Sequence, residues 1–166
     1  GAFPPSLLWL YHQGGFDEVY GRSADWDPAM KRPLSSFMDE AVEKGWQLKP
    51  RNRPRIFMEA GGNVLRRFRA YDVMIEKLLP KLDLMVTIDW RMSNTALHSD
   101  YVFPAAGWYE KDDLTWATPL APYAHVVTRA VAPLGESKSD WAFNALLMKT
   151  IQKRARARGV QEFTDR

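Results

Sequence analysis

The sequence predicts an α/β fold in which a mostly parallel sheet is covered by helices on both faces, giving three αβα layers. Three observations predict it. Residues 82–90, LDLMVTIDW, form a nearly continuous apolar run, as expected for a strand that is covered on both faces. Segments of strand, helix, strand, turn and strand character follow one another from residue 55. The segment from Ser139 onward has the apolar spacing of a long amphipathic helix.

We expect the first 54 residues to form a segment that packs on this core. The opening, to about Gly21, mixes apolar residues with glycines and reads as irregular or strand-like. Asp27 followed by Pro28 is typical of a helix start. Residues 37–45, FMDEAVEKG, have one apolar side and a terminal glycine, which predicts an amphipathic helix. Residues 47–54 are polar and interrupted by prolines, as in a linker.

Residues 55–159 carry the predicted core elements in order. RIFMEAGGN (55–63) is a short strand ending in Gly-Gly-Asn, and AYDVMIEKLLPKLD (70–83) has helical spacing up to Pro80. After the strand at 82–90, SNTALHSD (93–100) fits one helical turn, and YVFPAA (101–106) and YAHVVTRAVAP (123–133) fit a third and a fourth strand. Ser139 caps the last helix and Gly159 ends it. These elements predict a Rossmann-like domain over 55–159, followed by a tail at 160–166.

Composition excludes several classes of protein. The 166 residues suit one compact domain, and 46% hydrophobic with 26% charged residues is typical of a globular chain. The absence of cysteine excludes thiolate metal sites within the segment. The net charge of +3 is mild for a nucleic-acid binder, and no apolar run approaches a membrane span. Since no signal peptide and no initiator Met open the chain, we expect a piece of a longer or processed protein.

Candidate ligand-binding residues lie where the predicted strands end, because ligands bind beyond the carboxyl ends of parallel strands. Gly61-Gly62-Asn63 follows the first strand, and Ile88-Asp89 ends the second. Lys111 lies beyond the third, after WY of the sequence WYEKDD, and Asp140 opens the last helix. A carboxylate at a second strand end suits ribose hydroxyls, a lysine suits phosphate, and Asp140 could accept both N–H donors of guanine.

Each candidate also has a simpler interpretation. Gly-Gly-Asn fits an ordinary left-handed turn, and Asp89 could cap the loop that follows it. Lys111 could pair with Asp112 or Asp113 at the surface, and Asp140 could only stabilise its helix. Neither GxGxxG nor GxxxxGK[ST] is present. The residues alone therefore indicate a nucleotide-like ligand and no more.

Three ordered motifs give the sequence a family resemblance: GGNVLRR (61–67), LDLMVTIDWRMSNTALHSDYVFPAAGWYEKDDL (82–114) and APLGESKSDW (132–141). Together, over about Arg55 to Ile151, they resemble catalytic subunits of the dimethyl sulfoxide reductase superfamily of molybdopterin oxidoreductases. WYEKDD and ESKSDW resemble most closely the type II branch, which includes nitrate, selenate and chlorate reductases and dimethyl sulfide, ethylbenzene and steroid dehydrogenases. Val64 stands where that branch commonly has proline.

The resemblance implies a cofactor, Mo-bis(molybdopterin guanine dinucleotide), and a set of residues that line the site for one of its two dinucleotides. Asp89 would contact ribose or guanine, Asp140 the remaining guanine donors, and Lys111 phosphate or pterin, with Trp108 and Tyr109 packed under it. The full implied set is Asn63, Ile88, Asp89, Lys111 and Asp140.

The resemblance also implies what lies outside the segment. The molybdenum-ligating aspartate and any iron–sulfur cluster would belong to other parts of the parent protein, so the segment itself has no expected catalytic or metal-binding residue. The implied parent performs oxygen-atom transfer or hydroxylation with an iron–sulfur electron-transfer subunit as partner. Type II relatives are often periplasmic, whereas nitrate reductases face the cytoplasm. The alternatives are a noncatalytic module for assembly or partner binding, and a nicotinamide-dependent oxidoreductase domain that lacks the usual glycine motif.

Overall fold

The computed structural model describes residues 6–50, 52–68, 70–116 and 123–160. The chain divides into two compact units. The first comprises Gly1–Phe57 and Val64–Met85, and the second comprises Met58–Asn63 and Val86–Arg166. The predicted division at residues 54 and 159 stays a prediction, and most of the predicted tail lies outside the described residues.

The first unit is mainly helical. Its helices are α1 (Ser6–Gln13), α2 (Phe16–Gly21), α3 (Leu34–Glu43), α4 (Val64–Arg67) and α5 (Tyr71–Val73), with a 3-10 turn at Ser23–Asp25. Helix α5 continues as a π-helical turn, Met74–Leu78, and a 3-10 turn, Leu79–Lys81. A buried cluster of Phe16, Leu65, Met74 and Leu78 joins α2, α4 and the π-helical turn.

Two predictions for the N-terminal segment were wrong. The opening is helical rather than irregular or strand-like, because Leu8 and Tyr11 lie three residues apart and are both buried on one side of α1. No helix begins at Asp27-Pro28. The Asp27 carboxylate instead accepts a hydrogen bond from the Ala29 N–H at 3.0 Å, which closes a turn and competes with helix formation. The predicted amphipathic helix does form as α3, which starts three residues before Phe37.

A three-stranded sheet has the order β1 (Ile56–Ala60), β2 (Leu84–Asp89) and β3 (Tyr101–Pro104). Strands β2 and β3 are parallel, with Val86 opposite Tyr101 and Asp89 opposite Pro104. Five of the six β2 residues are buried, as its continuous apolar run predicted. Between β2 and β3, the predicted helical turn is present as a 3-10 turn at Ala96–His98.

The predicted fourth strand forms, but it does not extend the parallel sheet. Strand β5 (Ala124–Val127) pairs antiparallel with β4 (Asp113–Trp116) in a separate two-stranded sheet. The alternating pattern of β5 suits such a ribbon better than a strand covered on both faces. Strand β4 was not predicted, since its Asp-Leu-Thr-Trp sequence follows directly on a run of charges.

The predicted C-terminal helix is present as α6 (Asp140–Ala157). The Ser139 hydroxyl accepts a hydrogen bond from the Ala142 N–H, and Gly159 ends the helix region with φ +72°. Phe143 packs on Phe103 of β3, with ring centroids 4.9 Å apart, but Trp141 is 77% exposed. The α/β class is thus confirmed. The Rossmann-like three-layer arrangement stays a prediction.

Candidate functional site

The carboxyl ends of the three strands are joined by backbone hydrogen bonds in the second unit. The Gly61 N–H, just after β1, donates to the Ile88 carbonyl at 3.0 Å. The Ala105 N–H, just after β3, donates to the Asp89 carbonyl at 3.0 Å. The Ala106 N–H donates to the Lys138 carbonyl at 2.8 Å, which brings the segment before α6 to the same region. The strand ends and the segment that leads into α6 therefore meet.

Asn63 closes the turn after β1 in a left-handed conformation, with φ +45°. Gly61 in the same turn has φ +67°, so the left-handed turn considered from the sequence is present. The Asn63 side chain is held in place: its Oδ1 accepts hydrogen bonds from the Thr95 N–H at 3.3 Å and from the Thr95 hydroxyl at 3.1 Å. Thr95 is fully buried.

Ile88 contributes a backbone group to this region, whereas Asp89 contributes its side-chain carboxylate. The Ile88 side chain is buried in the sheet, so its contribution to this region is the carbonyl that accepts from Gly61. The Asp89 side chain is 7% exposed, and its Oδ1 accepts a hydrogen bond from the Trp90 N–H at 2.8 Å. One Asp89 oxygen therefore caps the following loop, as the simpler interpretation held. The second carboxylate oxygen is the one that a ligand would contact.

Lys111 is a buried cation between two carboxylates. Its ammonium lies 2.8 Å from Asp140 Oδ2 and 3.1 Å from Asp113 Oδ2, and 4.8 Å from the centroid of the Trp108 ring. Burial lowers the pKa of Lys111, but the hydrogen bonds and charges of the two carboxylates outweigh that effect, so its pKa is raised. Lys111 therefore remains charged across the whole physiological pH range.

The expected surroundings of Lys111 are partly confirmed. The pair with Asp113 is present, whereas Asp112 accepts a hydrogen bond from the Arg129 N–H at 3.0 Å instead. Trp108 packs against the lysine, but Tyr109 is 77% exposed and has no part in that packing. The prediction that both aromatics pack under Lys111 was wrong for Tyr109. Its backbone carbonyl instead accepts hydrogen bonds from the Ala130 and Val131 N–H groups.

Two buried residues near the strand ends were missed at the sequence level. Glu59, on β1, is 7% exposed, and a Cβ added at Gly62 would lie 2.0 Å from its Oε1. A glutamate in the apolar run RIFMEA was a visible signal for it. Thr95 had no comparable signal, because its partner Asn63 is 32 residues away in the chain.

Within the described ranges, no group of three or more His, Asp or Glu side chains could hold a metal ion. The same part of the chain has no helix that is both long and apolar enough to cross a membrane. What this region offers is a set of polar groups suited to an organic ligand. Carboxylate oxygens come from Asp89 and Asp140, amide donors from Asn63, and a cation from Lys111.

Several curated proteins are similar to the chain over most of its length. It is 38% identical to the respiratory nitrate reductase subunit alpha of Haloferax mediterranei over 98% of its length. It is 31% identical to the perchlorate reductase subunit alpha of Dechloromonas aromatica over 98% of its length, and 34% identical to the dimethylsulfide dehydrogenase subunit alpha of Rhodovulum sulfidophilum over 80%. The matched parts are 16%, 17% and 14% of those proteins, so the chain spans about a sixth of their length.

Among solved structures, acetylene hydratase from Pelobacter acetylenicus matches 66% of the chain, and 14% of its own length, with 27% identity and a TM-score of 0.50. The family model described as Molybdopterin oxidoreductase matches residues 62–149, more than half of the chain. That range includes Asn63, Asp89, Lys111 and Asp140. The resemblance noted in the three sequence motifs is thereby confirmed, and the chain belongs to the molybdopterin oxidoreductase family.

Proposed function

We propose that the chain is the part of a molybdenum-dependent oxidoreductase catalytic subunit that holds one guanine dinucleotide of Mo-bis(molybdopterin guanine dinucleotide), in a Rossmann-like domain over residues 55–159. When bound, that cofactor supplies the oxygen-atom transfer or hydroxylation chemistry of the parent enzyme. The observation that carries the proposal is the meeting of three strand ends and the start of α6, through the Gly61, Ala105 and Ala106 N–H groups.

The polar groups in this region fit a guanine nucleotide. Guanine presents two N–H donors on its Watson–Crick edge, and a carboxylate is an acceptor with two oxygens. The Asp140 side chain is 46% exposed, so it remains accessible while its Oδ2 is held by Lys111. Asp89 offers a second carboxylate at the end of β2, where ribose hydroxyls are bound in related sheets. We therefore assign guanine to Asp140 and ribose to Asp89.

The charges around Lys111 argue against the phosphate contact that was one of its two expected roles, with pterin as the other. Lys111, Asp113 and Asp140 together carry one positive and two negative charges, so this group does not attract an anion. A buried lysine that is hydrogen-bonded to Asp140 instead restricts that carboxylate to one orientation. We therefore propose that Lys111 orients the guanine-binding carboxylate rather than contacting phosphate.

The parent enzyme and its surroundings belong to the same proposal. The relatives are named as alpha subunits of nitrate and perchlorate reductases and of dimethylsulfide dehydrogenase. By analogy with them, the partners would be the remaining domains of a catalytic subunit and an iron–sulfur electron-transfer subunit. We propose a periplasmic location from the resemblance to the type II branch, within which nitrate reductases instead face the cytoplasm, and neither nucleic acid nor a membrane span enters the proposal.

The test is a titration of the chain with GMP and with AMP, followed by calorimetry or by the fluorescence of its tryptophans. We expect GMP to bind at least about tenfold more tightly than AMP, because only guanine satisfies a carboxylate with two donors. Asp140→Asn should remove most of this preference, since its amide places a donor against the guanine donors. Asp112→Asn is the matched control, because Asp112 is exposed and bonded to Arg129, and it should leave the preference intact.

Three results would contradict the proposal. Equal binding of GMP and AMP would exclude a guanine site. No binding, with Asp89→Ala and Asp140→Ala both silent, would favour the noncatalytic assembly module. Quenching of tryptophan fluorescence by NADH but not by GMP would favour the nicotinamide-dependent domain.

A further inference from the structure

The hydrogen bonds between Thr95 and Asn63 fix which atom of the Asn63 amide faces inward. A backbone N–H can only donate, and the Thr95 N–H lies 3.3 Å from the Asn63 side chain. The facing atom must therefore be an acceptor, which is Oδ1, and the Thr95 hydroxyl at 3.1 Å donates to the same oxygen. The nitrogen, Nδ2, is the part of the amide that remains for a ligand.

Thr95 is itself held by a hydrogen bond from the partly buried Ser99 hydroxyl, which in turn contacts the buried Thr87 hydroxyl. The Ser99 hydroxyl donates its proton to the Thr95 carbonyl at 3.1 Å. Because that proton is used, the 2.7 Å contact between Ser99 and Thr87 must be donated by the Thr87 hydroxyl. Thr87 and Thr95 are both completely buried, and Thr87 lies in β2. The Asn63 oxygen is therefore connected to β2 through Thr95, Ser99 and Thr87, of which Thr95 and Thr87 are completely buried.

We propose that Thr95 is a positioning residue, which holds the Asn63 amide with its oxygen inward so that only its two N–H donors serve the ligand. The inference rests on the proposed guanine nucleotide site. It adds that Asn63 offers this site hydrogen-bond donors and no acceptor. A donor-only group recognises an acceptor oxygen. With the Asp140 carboxylate assigned to the guanine donors, the acceptors that suit Asn63 are phosphate oxygens of the nucleotide.

The turn around Asn63 supports a phosphate at this place. Asn63 keeps φ +45°, a conformation that costs energy for a residue other than glycine, and the two hydrogen bonds from Thr95 offset that cost. Gly61 has open space at the place of a Cβ, with no atom within 4 Å, so a ligand can come close to the backbone there. A strained and anchored amide close to this open glycine supports a ligand-binding role for the turn.

The experiment compares guanosine, GMP and GDP on the whole chain. Asn63→Asp keeps an oxygen for Thr95 but replaces the N–H donors by a charged acceptor. We expect it to weaken GMP and GDP binding by tenfold or more while guanosine binding changes less than twofold. Thr95→Val removes the hydroxyl and should weaken GMP several-fold with guanosine unchanged. Thr95→Ser keeps the hydroxyl and should match the unaltered chain.

A second measurement on the unaltered chain keeps the inference testable if a variant does not fold. The Asn63 side-chain NH₂ signals in nitrogen-15 correlation spectra should shift on addition of GMP and not of guanosine. This inference alone would be overturned if the variants lost affinity equally for guanosine and for GMP. It would also be overturned if the Asn63 NH₂ signals did not shift while GMP was bound. If neither guanosine nor GMP binds, the proposed function fails and the inference fails with it.

Discussion

The Lys111 ammonium lies 2.8 Å from the Asp140 carboxylate, so the loop after β3 is tied to the first turn of α6. The two side chains differ in exposure, at 9% for the lysine and 46% for the aspartate. A buried cation needs a partner far more than a half-exposed anion does. Asp113, at 3.1 Å, is the second partner, and the lysine therefore has two carboxylates that can each compensate its burial.

This arrangement predicts that either aspartate alone can compensate the buried charge of Lys111. Asp140→Asn and Asp113→Asn should each lower the free energy of unfolding by about 1 kcal/mol or less, because Lys111 keeps one carboxylate. The double variant should lose more than the sum of the two, since a buried cation is then left without any anion. Urea denaturation of the four chains measures this. A strictly additive double variant would show that the two carboxylates act independently and that neither compensates for the loss of the other.

The elements that could be predicted are those with a local pattern. The apolar run of β2, the strand ending at Gly61 and the capped helix α6 each depend on residues that are close in sequence. The helix α1 was missed because Leu8 and Tyr11, which are buried, stand among glycines and aromatics that gave no clear period. The candidate site residues were chosen as a group from predicted strand ends, the predicted helix start and the family resemblance, and their role in binding stays a prediction.

Their contacts could not be predicted, because each depends on packing between distant segments. Lys111 and Asp140 are 29 residues apart, and nothing in either local sequence indicates that they pair. The same is true of Asn63 and Thr95. For this reason we propose a positioning role for Lys111 in place of the expected contact with phosphate or pterin, and the choice of site residues stays a prediction.

The raised pKa of the Tyr11 phenol predicts that the folded chain loses stability at alkaline pH. Burial, then the charge of Asp39 and a 3.2 Å hydrogen bond to it, raise the pKa of Tyr11 from 10.0 to about 12. In the unfolded chain the phenol ionises near pH 10, whereas in the folded chain it keeps its proton. The stabilisation is thus fully present below pH 10 and is lost as the pH rises towards 12, by an amount on the order of 2 kcal/mol.

Denaturation of the chain at pH 9 and pH 11.5 measures this effect. Tyr11→Phe should show a smaller decrease between the two pH values than the unaltered chain, because it removes the titrating group. Tyr109→Phe is the matched control, since Tyr109 is 77% exposed, and it should leave the decrease unchanged. Equal decreases for all three chains would show that Tyr11 ionises alike in the folded and unfolded states.

Ser139 and Ser137 offer a matched test of the α6 cap. The Ser139 hydroxyl accepts the Ala142 N–H at 3.2 Å, so Ser139→Ala should lower the free energy of unfolding by about 1 kcal/mol. The Ser137 hydroxyl is buried without a hydrogen-bond partner among the described residues. Ser137→Ala should therefore be neutral or slightly stabilising, because it removes an unsatisfied polar group. Thermal or urea denaturation of both variants checks the contrast, and equal effects would contradict the assigned cap.

Gly61 and Gly62 are adjacent, yet replacing each by alanine should lower the free energy of unfolding for a different reason. At Gly61 a Cβ meets no atom within 4 Å, but φ is +67°, so the cost is backbone strain of about 1 kcal/mol. At Gly62 a Cβ would lie 2.0 Å from the buried Glu59 Oε1, so the cost is steric displacement of that carboxylate. Adding Glu59→Ala should therefore lessen the cost of Gly62→Ala and leave that of Gly61→Ala unchanged. The free energies of unfolding of the three single variants and the two double variants measure this coupling. If Glu59→Ala relieved both glycine substitutions equally, the Glu59 carboxylate could not be what requires glycine at position 62, and the close packing of β1 against its own turn would need another explanation.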